Sequence, residues 1–290
     1  MSELLEKLLE SILTGATISP NSLKFNADGT VLNGIITNMW DYISAIAITL
    51  SIVYFVLEIN RKMMFERDDF TLKSIGAPFF KLIIAYALIT NGVTIINGVL
   101  SGHDAIVEAA AKWGTMGDPK SLNSNPFKDF GLIQQLAIFI PMILAWVVSL
   151  VTVFLFWYKS LGYKIEFLFR IGVTPIALAD VYSGNNSNAI RWLKGFLGLA
   201  LYGIAFIVLP RIAYALADSM MASFMQSGGI SEEARNKMKE SGASEADIIA
   251  VLVKDSIWLV VKYIVMKMLA PIAALGALSS VRQVTREVTS

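Results

Sequence analysis

From Phe130 to Tyr158 the chain carries no charged residue. The stretch behind it, Lys159 to Asp180, is nearly as apolar yet holds Glu166, Arg170, Pro175 and Asp180. A helix needs about 20 apolar residues to cross the hydrocarbon core of a bilayer. The first stretch meets that length alone. Similar apolar segments recur along the chain and predict five spans, at about 40–57, 79–100, 132–158, 193–217 and 248–278. Pro141 predicts a kink in the third. Lys254, Asp255, Lys262, Lys267 and Pro271 interrupt the last, which reads either as one long span or as two shorter segments. At the start, Leu4, Leu5, Leu8, Leu9, Ile12 and Leu13 share one face of a helix, with Glu3, Glu6, Lys7 and Glu10 opposite and Gly15 placed to stop it. Such a helix lies on a membrane or a partner helix, or covers the protein's own core. The expected fold is all-α: a polytopic integral membrane protein with about five transmembrane helices, an N-terminal amphipathic helix over 1–20 and a single transmembrane domain over 21–290.

The segment after the third span is the least regular. Thr174 precedes Pro175 and is biased away from the helical region, so residues 164–180 are expected to form two half-helices, as a re-entrant or interfacial element. Glu166 and Arg170 stand four apart and can pair on one face. Charge at membrane depth is expensive, so these groups pair, snorkel or face a cavity. Glu166, Arg170, Pro175, Asp180, Arg191 and Lys194 are therefore the candidate coupling or pathway-lining residues. Ala270, Ala273, Ala274 and Ala277 form a small-residue ridge on the last span, readable as a subunit interface or as internal packing. Interhelical hydrogen bonding accounts for Asn91 and Asn97 in the second span. The connection over 226–247 reads as a soluble helical hairpin, with Ser231 capping one helix and Ser244-Glu-Ala-Asp247 starting the next.

Lys and Arg set an orientation. Arg61, Lys62, Arg67 and Lys73 crowd the first connection, and Lys159, Lys164, Arg170, Arg191 and Lys194 crowd the third, whereas the second is dilute. Cytoplasmic loops carry the excess of positive charge. That places the N-terminus outside and the C-terminus in the cytoplasm.

Composition narrows the chemistry. A hydrophobic share of 55% with 16% charged residues exceeds what a soluble surface tolerates. The net charge of +1 offers no basic tract for nucleic acid. No cysteine is present, and acidic residues occupy the place of a basic signal-peptide region. The one histidine, His103, precedes Asp104 as a base would precede its orienting carboxylate, yet no nucleophile or Walker motif accompanies it. No enzymatic activity, cofactor or metal is expected.

Several stretches carry a resemblance. They are the opening Leu4-Leu-Glu-Lys-Leu-Leu-Glu-Ser-Ile12, the first span running into Tyr54-Phe-Val-Leu-Glu-Ile-Asn-Arg61, and a second span with Asn91-Gly-Val-Thr-Ile-Ile-Asn97. They continue with Tyr163-Lys-Ile-Glu-Phe-Leu-Phe-Arg-Ile-Gly-Val-Thr-Pro-Ile-Ala-Leu-Ala179 and Arg191-Trp-Leu-Lys-Gly-Phe-Leu-Gly198. In this order they resemble the VirB6/TrbL family, the polytopic components of type IV secretion and conjugation machines, in the form carried by Gram-positive conjugative elements. The resemblance implies a non-enzymatic channel or scaffold subunit of the cytoplasmic membrane that moves DNA or protein. It also implies a homo-oligomer, as a pentameric ring, whose partners are VirB4-like and coupling ATPases, other membrane subunits and lipid. The alternative from the residues alone is a small-solute transporter or permease subunit. An odd number of spans and the lack of internal repeats weigh against it.

Overall fold

The computed structural model describes residues 1–14, 20–25, 30–65, 71–112, 125–128, 130–180, 187–226, 231–233, 236 and 245–289. Every regular element among them is a helix: α1 (Ser2–Thr14), α2 (Pro20–Leu23), α3 (Thr30–Phe65), α4 (Leu72–Thr90), α5 (Gly92–Lys112), α6 (Leu132–Ala179), α7 (Asn188–Gln226), α8 (Glu245–Asp255) and α9 (Ile257–Thr289). Among the described residues four helices, α3, α6, α7 and α9, are long and apolar enough to cross a membrane, and there is a fifth crossing if α4 and α5 count as one broken span. The chain is an all-α, multi-pass membrane protein. Arg67 and most of the expected hairpin at 226–247 lie outside the described residues.

Contacts divide the chain into two compact units. The first comprises Met1–Pro20, Ala109–Ser160 and Ile204–Val281; the second comprises Asn21–Glu108, Leu161–Gly203 and Arg282–Ser290.

The first unit has an aliphatic core. Leu5, Leu9 and Ile12 of α1, at i, i+4 and i+7, are fully buried together with Ile138, Met142 and Ala145 of α6, Ile249 and Leu252 of α8, and Val260 and Ile264 of α9. Trp146 donates its indole N–H to Ser11 Oγ at 3.1 Å. Leu5, Leu9 and Ile12 of the amphipathic start therefore pack into the protein's own core, with Leu8 partly buried beside them and Leu4 left exposed. The charged Arg211 of α7 donates to the carbonyls of Ala110 and Ala111 at 3.3 and 3.0 Å, the last turn of α5, where carbonyls lack intrahelical partners and the helix dipole is negative. The expected last span is two helices. Ser256 interrupts it, accepting the Trp258 N–H on Oγ at 3.2 Å as a cap for α9, so the crossing runs 257–285 rather than 248–278.

In the second unit α3 and α4 pair antiparallel, with Lys62 reaching the Ser74 carbonyl at 3.2 Å, Phe55 beside Phe79, and Trp40 beside Ile89. The second half of α6 runs parallel to α3: Gly172 lies against Met39, and Ala179 packs with Ala47. Only 11% of the most apolar window of α3 is buried, so the rest of the chain leaves most of its side chains uncovered.

Two expectations about backbone continuity are corrected. The second span is not continuous: it bends by 68° between Thr90 and Gly92. Asn91 closes α4 by donating its side-chain amide to its own helix's Ala87 carbonyl at 2.6 Å, so this asparagine caps a helix rather than bridging two. Trp40 donates its indole N–H to the Ile89 carbonyl at 2.9 Å, which satisfies a group that the break exposes. A Cβ on Gly92 would lie 2.1 Å from that indole nitrogen, so only glycine fits there. Conversely, α6 runs without interruption through Thr174 and Pro175, and the two half-helices expected at 164–180 do not form. A proline inside a helix costs about 3 kcal/mol. A break would strand several backbone groups around the buried Thr174 and Pro175, at roughly 2–7 kcal/mol each. The continuous helix is the cheaper choice.

Candidate functional site

One face of α6 in the second unit carries Tyr163, Glu166, Phe167, Arg170 and Thr174 at helical spacing. It meets α5, α7 and Arg282 in the last turns of α9, and its polar groups are all engaged.

Tyr163 stands at the centre. Its hydroxyl lies 2.8 Å from Nε2 of His103 on α5, and His103 Nδ1 lies 3.1 Å from Asp104 Oδ1. Asp104 also accepts the Phe25 N–H at 2.9 Å. With a carboxylate facing Nδ1, the neutral ring carries its proton there, and Nε2 accepts the phenol. The imidazole packs against Phe25 at 4.7 Å and Phe167 at 4.8 Å. On α7, Gly203 makes room for the phenol, since a Cβ there would sit 2.2 Å from the hydroxyl oxygen. Carboxylate, imidazole and hydroxyl thus stand in the order of a base relay. Tyr163 is only 2% exposed, so nothing reaches its hydroxyl unless the surrounding rings move. The arrangement as it stands fixes three helices to one another.

One turn further along α6, Glu166 is shared. Its Oε1 takes Arg170 at 3.1 Å, the pair that the spacing predicts, and its Oε2 takes Arg282. Arg282 also lies over the Tyr202 ring, 5.8 Å from its centroid. Arg170 reaches α7, where a Cβ on Gly195 would fall 2.9 Å from its Nη1. Gly195 beside Arg170, Phe196 beside Phe167 and Gly203 beside Tyr163 define an antiparallel register between α6 and α7 in this unit. Arg191 and Lys194 are exposed on the same stretch of α7. Pro175 is buried within α6. Asp180, expected to line a pathway, is buried at the end of α6, where its carboxylate accepts the Asn188 N–H at 3.2 Å and so caps the next helix.

The other candidates lie in the first unit. Ala270 and Ala274 are buried, and Ala270 packs on Tyr214 and Ala217. Together with Ala273 and Ala277 they border an apolar groove of about 310 Å³ between α7 and α9. Lys267 is buried in α9, with its ammonium 2.6 Å from Asp218 and over the rings of Tyr214 and Tyr263. Tyrosine rings and a carboxylate are the environment that a desolvated ammonium needs.

Sequence reasoning found Glu166 with Arg170 because they are four residues apart. It missed His103 with Tyr163, Glu166 with Arg282, and Lys267 with Asp218, whose partners are distant in the chain. The spacing of Tyr163, Phe167, Arg170 and Thr174 is the one local signal that this face of α6 is buried. Among the described residues no group of three or more metal-ligating side chains gathers. Comparison of the chain with family models, curated proteins and solved structures finds no match.

Proposed function

We propose that the chain is a non-catalytic channel or scaffold subunit of a type IV secretion or conjugation machine in the cytoplasmic membrane. The observation that carries this is the order of elements. An amphipathic helix is followed by a first span ending in a basic turn, then by a second span holding Asn91 and Asn97, by a long helix with the Tyr163–Ala179 stretch, and by a span opening at Arg191-Trp-Leu-Lys. This is the order in which the chain resembles the VirB6/TrbL family. If the broken α4–α5 pair is one crossing, the crossings number five, and the Lys and Arg bias then supports an N-terminus outside and a C-terminus inside, with the basic first and third connections in the cytoplasm. Subunits assemble as a ring alongside VirB4-like and coupling ATPases. Glu166, Arg170, Arg191 and Lys194 then stand on the side where those ATPases act.

Deleting the gene from a donor cell is expected to abolish conjugative transfer, and a plasmid-borne copy to restore it. Transfer that continues unchanged would sink the proposal. Reporter fusions at Arg67 and Asn123 test orientation, with activity expected on opposite sides of the membrane. The break at Asn91 and the buried Lys267, paired with a half-exposed Asp218, favour a second reading as a solute transporter, because discontinuous helices and intramembrane charges mark substrate sites in that class. Loss of solute uptake with intact transfer would select it.

A further inference from the structure

In the second unit Lys24 and Phe25 are gripped from two helices. Asp104 of α5 accepts the Phe25 N–H on Oδ1 at 2.9 Å, and Lys164 of α6 donates to the Lys24 carbonyl at 2.9 Å. Lys24 in turn reaches Glu108 of α5 at 3.4 Å. The Phe25 ring stacks on Phe167 at 4.9 Å and meets the His103 ring edge-on at 4.7 Å, with the Lys164 ammonium 5.4 Å from its centroid. Leu23 and Phe25 are both buried.

These ties are tertiary, because the segment has little structure of its own. α2 is four residues long, and a single helical turn is too short to persist by itself. The other rings beside His103 are built differently. Tyr163 and Phe167 belong to α6, a helix of 48 residues, so displacing them displaces a membrane crossing. Of these three rings, Phe25 is the one that can move without a crossing. Short segments held by few hydrogen bonds open at the lowest free energy.

Two further observations connect Phe25 to what it covers. Asp104 uses the same oxygen, Oδ1, for the Phe25 N–H and for His103 Nδ1, so the segment and the imidazole share one acceptor. Behind them lies the buried bond between His103 and Tyr163. A buried hydrogen-bonded pair adds little stability over two apolar side chains of the same shape, so packing by itself does not call for this one.

We propose that residues 21–25 form a latch over the His103–Tyr163 pair. Shut, the Phe25 ring covers the pair. Released, the segment uncovers a hydrogen-bonding site made of the imidazole and the phenol, flanked by the Asp104 carboxylate and the Lys164 ammonium. Lys164 is the main tie, since it holds both the backbone and the ring of the segment. The latch is independent of what the protein transports.

The chain has no cysteine and a single histidine, so the full chain in detergent reports the latch at two places. A maleimide on Leu23→Cys reads the segment, and carbethoxylation of His103 by diethylpyrocarbonate reads the pair beneath it. Leu23→Cys is expected to label more slowly than Asn21→Cys, at an exposed position, and faster than Ile96→Cys, buried in α5. Lys164→Met removes the charged donor and should raise the thiol and histidine rates about tenfold. Lys159→Met deletes the same kind of bond elsewhere, to the Leu275 carbonyl, and should change neither. In the unaltered chain, amides of 21–25 should exchange with deuterium before those of α5 and α6. Exchange of 21–25 only together with those helices would overturn the latch, and so would labelling of Leu23→Cys no faster than of Ile96→Cys. Unchanged rates in Lys164→Met, a thiol rate that rises without the histidine rate, or an equal rise in Lys159→Met would also refute it.

Discussion

The two compact units bury different chemistry. In the first, α1, α6, α8 and α9 meet through Leu5, Leu9, Ile12, Ile138, Met142, Ile249, Leu252 and Ile264, while Arg211 is satisfied by the end of α5 and Lys267 at the cluster's edge by Asp218 and the Tyr263 ring. In the second, the centre is itself polar: His103 and Tyr163 are hydrogen-bonded inside a box of Phe25, Phe167 and Tyr202. An aliphatic core depends on volume. A polar centre depends on every donor and acceptor keeping its partner, because a buried group left unsatisfied costs about 1–3 kcal/mol. The first core should therefore tolerate exchange between aliphatic residues of equal size, and the second should tolerate changes only in matched pairs.

The largest effect is expected from Leu9→Ala in the first unit. It leaves a cavity under α1 and should destabilise the protein by about 2–5 kcal/mol in thermal unfolding of the detergent-solubilised chain, with Leu9→Met well below that. If α1 lay on the membrane rather than in the core, Leu9→Ala would leave the midpoint unmoved. Next comes Gly203→Ala, which drives a methyl group into the Tyr163 hydroxyl and ring and should cost about 1–3 kcal/mol. A smaller loss is expected from His103→Phe, which strands the phenol. Adding Tyr163→Phe should recover part of it, and a double variant as weak as the sum of the singles would refute a hydrogen-bonded dyad. The smallest is Arg282→Gln. Glu166 keeps Arg170, both groups are partly exposed, and the change in midpoint should correspond to less than about 1 kcal/mol. A large loss there would make the C-terminal tie a structural keystone of the second unit.

The positions that sequence reasoning identified are those whose partner is close in the chain. Glu166 and Arg170 are four residues apart, and the apolar face of α1 is visible as a helical stripe. Pro175 misled for the opposite reason. Its local preference points to a break, but that preference is worth about 3 kcal/mol and loses to the backbone groups that a break would strand beside Thr174. Asn91 carries a weak local signal, yet the chain breaks there because Trp40, from another helix, takes up the Ile89 carbonyl and Gly92 leaves room for the indole.

The sequence by itself determined the class, all-α and membrane-spanning, since transfer into hydrocarbon is a sum over local composition. Tertiary structure decided the rest. It placed α1 in a core, moved the interruption from Pro175 to Asn91, and brought His103 to Tyr163 and Arg282 to Glu166. Each of these is a competition between a local preference and a partner far away in the chain, and the outcome depends on which backbone and polar groups the packed helices can satisfy.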